Sequence, residues 1–174
     1  HAASAVELSA FALGVVLGPS LDIKLAPPRA DLTDVEPEVV ALPLEPGRPE
    51  SLRIRPGREV KRLPSLSGMR DPRQRGRILH ALANHELQAA ELYAWAILAY
   101  PEAPTAFRRD LLRILQEEQR HARMYISRLE ACGQAFGDHP VTGYFWRKAE
   151  GLRGHPLRFV CAMALTFENA NLDH

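Results

Sequence analysis

Apolar residues recur at helical spacing in several stretches of the chain. The clearest is Leu111, Leu115, Ala122 and Leu129, with Ile114 and Tyr125 alongside. That segment opens near Pro104-Thr105 and runs to Cys132, where Gly133 supplies a stop. Before it, Leu79, Leu82, Tyr93 and Ile97 form a second stripe, with Ala83 and Ala90 as small neighbours. Asp71-Pro72 opens this helix as an N-cap followed by proline at the first helical position, and Pro101 closes it after Tyr100. At 1.5 Å per residue each helix is roughly 40 Å long. The short connection from Pro101 to Pro104 predicts an antiparallel hairpin. A third helix opens at His155-Pro156, with Leu157, Cys161, Ala164, Leu165 and Leu172 on one face, and shows no stop signal before His174. Residues 5–18 predict a short helix closed by Gly18-Pro19.

Between Pro27 and Pro64 the texture changes. Eight of the fourteen prolines fall there, which excludes long helices and central strands. Val39, Val40, Leu42, Leu44, Leu52 and Ile54 predict an extended arm docked on the outside of a bundle. The chain thus divides into residues 1–70, a short helix with a proline-rich arm, and residues 71–174, a helical bundle. The 22-residue stretch 133–154, with Tyr144, Phe145 and Trp146, is long enough to return along the bundle as a crossover.

Composition narrows the class. Apolar content of 46% with 25% charged residues describes a globular chain with a core rather than a disordered one. Two cysteines without a CxxC pair exclude a disulfide framework. No run reaches the ~18–20 apolar residues that span a bilayer. "FALGVVLG" follows Glu7 without a basic flank and reads as a packed helix, so no membrane association and a cytoplasmic location are expected. A net charge of +1 demands no nucleic-acid partner, and the basic stretch from Arg48 to Arg77 reads as a solvated face, with RNA disfavoured.

The anomalies are acids inside the stripes. Glu118 falls in the middle of the Leu111–Leu129 face, with His121 on its flank. Glu86 lies one heptad from Leu79 and from Tyr93, and Glu168 is central to the third helix's face. Glu91, beside Asn84 and Gln88, reads instead as an ordinary polar-face residue, and Glu117 as an edge residue. His80 and His85 fall off the inward face, with surface or supporting roles, and Trp95 reads as packing. An unpaired buried carboxylate costs several kcal/mol, and the stripes hold no lysine or arginine to offset it. A shared cation is the economical reading. Carboxylates with an imidazole and no thiolate suit iron or manganese better than structural zinc. Glu86, Glu118, His121 and Glu168 are the expected ligands, with the Glu-x-x-His spacing placing two on one helix face. Tyr93 and Tyr125 are the candidate supporting residues around them, with a purely core role as the alternative.

"ANHELQAAELYAWA", "LQEEQRHARMYISRLEACGQAFGD" and "LTFENANLDH" resemble the signature segments of an uncharacterised ferritin-like family, catalogued as a domain of unknown function. The resemblance covers roughly residues 70–174, and "LGPSLDIKLAPP" is similar to that family's leader. It implies an all-α, ferritin-like up-down bundle with a di-iron or mixed iron–manganese centre at the same four residues. The family's fourth helix, with a second Glu-x-x-His, has no counterpart here, and Asn171 occupies the position three after Glu168. An incomplete bundle and an incompletely occupied metal site are therefore expected. The expected function is oxidation of an unidentified small organic substrate by dioxygen, with a homodimer compatible. The alternatives are metal storage or peroxide handling without substrate oxidation, and a non-catalytic scaffold whose buried acids are ion-paired.

Overall fold

The structure, a computed structural model, describes residues 6–35 and 40–172, and only the backbone of Leu66 and of residues 166–172. Among the described residues it is all-helical, with α1 at Leu8–Leu17, α2 at Leu21–Leu25, α3 at Pro72–Ala99, α4 at Thr105–Glu130 and α5 at Pro156–Leu172. Extended pairing is confined to two isolated bridges, Glu7 with Thr33 and Ile54 with Val141.

The long helices begin and end where their chemistry requires. The Asp71 carboxylate accepts from the Gln74 amide at 2.9 Å, and Pro72 follows at the first turn, where its missing N–H costs nothing. α4 ends at Glu130, and Gly133 then takes φ +74°, a left-handed conformation that glycine adopts without strain. α3 and α4 pack as the expected hairpin, α1 lies against α3, and α2 bridges α1 and α4. The main core joins Leu8, Val15 and Val16 of α1 to Leu92, Trp95 and Ile97 of α3, Leu111 and Leu115 of α4, and Phe145 and Trp146 of the crossover.

The arm docks, as its apolar residues predict. Leu52 is fully buried, Val40, Leu42 and Ile54 pack against the core, and the Trp95 indole donates to the Pro43 carbonyl at 3.1 Å. Leu44 stays exposed, and Val39 lies outside the described residues. Gly47 is required by proximity. Its amide donates to the Val16 carbonyl at 3.0 Å, and a Cβ there would sit 2.0 Å from the Leu17 oxygen.

Three features differ from expectation. α2 has no counterpart in the apolar pattern; Ser20 caps it by accepting from the Ile23 amide at 3.4 Å. α5 buries a different face. Phe159 and Met163 enter the core, with the Phe159 ring edge-on to Tyr93 at 5.6 Å, whereas Leu157 and Leu165 are 77% and 63% exposed, and Cys161 and Ala164 are also exposed. The Phe159 ring packs beside Tyr93, Trp95 and Tyr100, so α5 turns toward the core the side away from the one its leucines mark. The side chain of Leu172 lies outside the described residues.

The third difference is Glu91, which is completely buried. Arg48 of the arm grips its carboxylate with two bonds, Nε to Oε1 at 2.9 Å and Nη2 to Oε2 at 2.8 Å. Lys24 of α2 reaches Oε1 at 3.0 Å, and the Trp146 indole donates to Oε2 at 2.8 Å. Burial opposes ionisation of Glu91, but Arg48 and Lys24 together outweigh it and hold the carboxyl below its ordinary value. Two cations on one anion leave positive charge in excess, and α1 answers it. Lys24 Nζ donates to the carbonyls of Val15 and Val16, both at 2.8 Å, at the partially negative end of that helix. Burial lowers the Lys24 pKa, against the charge of Glu91.

Removing the anion strands both cations. Glu91→Gln is expected to cost about 3–5 kcal/mol in urea unfolding. Lys24→Met, which leaves the bidentate Arg48–Glu91 pair intact, is expected to cost clearly less.

Candidate metal centre

α3 and α4 cross so that their inward faces bring three predicted ligands together. Glu86 comes from α3, and Glu118 and His121 come from adjacent turns of α4. One ligand atom from each lies within 4.8 Å of the others. His121 Nδ1 is 3.2 Å from Glu118 Oε2 and 3.6 Å from Glu86 Oε2. The two carboxylates are mostly buried and His121 is half exposed, so the cluster sits at the rim of the helix pair with one open side. Among the described residues, neither carboxylate has an ion-pair partner other than His121.

The electrostatics follow from that isolation. Burial, then the hydrogen bond and charge of Glu118, push the Glu86 carboxyl up to about 9. Two acids share this space without a lysine or arginine, the reverse of the arrangement at Glu91 one and a half turns along the same helix. A divalent cation would remove the conflict, and the oxygen-plus-imidazole donor set fits one.

Tyr93 and Tyr125 sense the same carboxylates. Burial and the charge of Glu118 raise the Tyr93 hydroxyl to about 12. Burial and Glu86 raise that of Tyr125. Both remain protonated donors across the physiological range. The fourth predicted ligand, Glu168, lies on α5, but its side chain is outside the described residues.

Residues 22–174 match the family described as "Protein of unknown function (DUF455)". The chain belongs to that family. The DUF455 region starts inside α2, so it takes in Lys24, the arm, the hairpin and α5, while α1 precedes it. Searches of curated proteins and of solved structures found no match. The proline-rich arm is therefore part of the family's unit, wider than the segment from residue 70 onward whose motifs carry the resemblance.

Other expectations divide. Glu117 is an edge residue, paired loosely with Arg120 at 3.9 Å. Trp95 packs in the core as expected. His85 is half-buried, its ring edge-on to Phe145 at 5.3 Å. His80 is not a surface residue: it is 2% exposed and accepts the Gly137 and His139 amides. Glu91 is not on a polar face: Asn84 and Gln88, whose side chains suggest one, are both buried with it. The signal that identifies it is the run "AAELYAWAILA", apolar all round the helix apart from one acid, which marks a buried segment.

The raised Glu86 pKa has a definite sign. Unfolded, the group titrates near 4.5, and folded without metal it titrates near 9, so the native state holds the extra proton between those values. Stability of chelator-treated protein is expected to fall as pH rises through that window. Thermal melts across the window check this, and Glu86→Gln is expected to flatten the dependence.

Proposed function

We propose that the chain is a ferritin-like oxidoreductase in which Glu86, Glu118 and His121 are ligands of a di-iron or mixed iron–manganese centre. The observation that carries this reading is the convergence of Glu86, Glu118 and His121 across two helices with no cationic side chain to pair them. Such a centre, when bound, would supply the electrons that reduce and activate dioxygen, which in turn would take electrons from a small organic molecule.

The chain's own residues have defined tasks. Glu118 and His121 present an oxygen and a nitrogen from one face of α4, and Glu86 faces them from α3. Glu86 must give up its proton when a cation arrives, so metal uptake releases a proton and strengthens as pH rises. Tyr93 offers a hydroxyl beside the cluster and is held by the Phe159 ring. The apolar packing of Leu87, Leu111, Leu115 and Ala122 on the same helices limits water on the inner side. The open side at His121 supports a second reading, exchange of metal with solvent for storage or peroxide handling.

Metal analysis of purified protein is expected to find iron or manganese, with at least a tenfold loss of affinity in Glu118→Ala and in His121→Ala. Metal-free wild type after loading, or variants that load normally, would sink both readings. Oxygen uptake that requires an added organic compound supports the oxidoreductase; turnover of ferrous ion alone supports storage.

A further inference from the structure

Arg77, His80, Ala81 and Asn84 share one face of α3, and Glu86 projects from the opposite one. On that far face is a cleft of about 340 Å³, closed by the arm around Val60–Leu63 and by the loop at 139–142. None of the proposed ligands lines it.

His80 decides what the cleft can bind. Its Nε2 accepts from the Gly137 amide at 3.0 Å and more weakly from the His139 amide at 3.4 Å. A neutral imidazole whose Nε2 is an acceptor carries its proton on Nδ1. Burial, and secondarily the charge of His139, hold the ring neutral, with a pKa of about 4. Among the described residues no protein acceptor meets Nδ1, yet no fully enclosed side-chain nitrogen or oxygen lacks a partner. His80 lines the cleft with a nearly buried ring whose Nδ1 is not fully enclosed, which leaves Nδ1–H as the donor it can offer there.

The remaining lining sorts by chemistry. Val60, Leu63, Ala81 and Val141 give an apolar wall, and Lys61 and Arg77 outnumber the one acid, Glu59. Arg77 is braced, its Nη2 donating to the Arg62 carbonyl at 2.8 Å. A neutral buried donor, an apolar wall and a cationic margin fit an anion with an apolar body. We propose that this cleft binds a small organic carboxylate, one oxygen accepting from His80 Nδ1 and the charge facing Arg77 and Lys61. The site stands whether or not the cluster across α3 holds metal.

Titration calorimetry of the full chain with 2-naphthoate tests it. Saturable binding is expected, weakened about tenfold in Arg77→Met. It should be abolished in Ala81→Trp, which fills the cleft, and Leu63→Trp fills it from the arm side should the first variant not fold. On wild-type protein, the nitrogen-15 resonance of His80 Nδ1 is expected to shift with the titration. Absence of saturable binding to folded wild type, or binding unchanged by either filling variant, overturns the site. Equal affinity for 2-naphthamide, or an unmoved His80 resonance, overturns the carboxylate assignment.

Discussion

A carboxylate sealed from water must be neutralised, and the burial of Glu91 organises much of this molecule. Its partners come from parts of the chain that share no secondary structure: Lys24 from α2, Arg48 from the arm and Trp146 from the crossover. Exchanging a buried ion pair for apolar residues is often neutral or stabilising, so the network is better understood as setting position than as adding stability. The arm cannot detach without taking the bidentate cation from a buried anion, nor α2 without losing contact with two carbonyls of α1. Arg48 extends the same connection outward, donating to the Asn84 side chain at 2.8 Å, and Asn84 in turn donates to the Thr142 carbonyl at 3.1 Å.

α3 thus carries two glutamates in opposite electrostatic states. Glu91 is held ionised by cations despite complete burial; Glu86, less buried, is driven toward protonation by burial and a neighbouring acid. Depth alone does not separate a structural acid from a candidate ligand. Its partners do. Glu91 is satisfied by protein on every side, whereas among the described residues Glu86 has no cationic partner but the imidazole it shares with Glu118.

How much of this was legible varies by element. The hairpin was, because proline, aspartate and glycine at its ends act locally and the stripe on α4 is strongly periodic. Glu86, Glu118 and His121 were legible as polar residues placed where leucines belong. Glu91 was not, since its partners are distant in sequence and Asn84 and Gln88 imitate a solvent face. α5 misled because its leucines carry a clean helical period, yet burial followed the ring of Phe159. The far-face cleft could not be read, as it exists only where the arm and the loop after α4 meet α3.

Several helix ends here are closed by side chains from other elements. Arg108 of α4 donates to the carbonyls of Ile97 and Tyr100 at the end of α3, at 2.5 and 3.2 Å. The end of α2 is met by Arg123 at the Leu25 carbonyl and by Gln119 at the carbonyls of Lys24 and Ala26. A five-residue helix cannot nucleate alone, and Gln119 stands 95 positions downstream of Lys24. Closure of the end of α2 is thus a long-range contact, complete only when α4 lies beside this early segment.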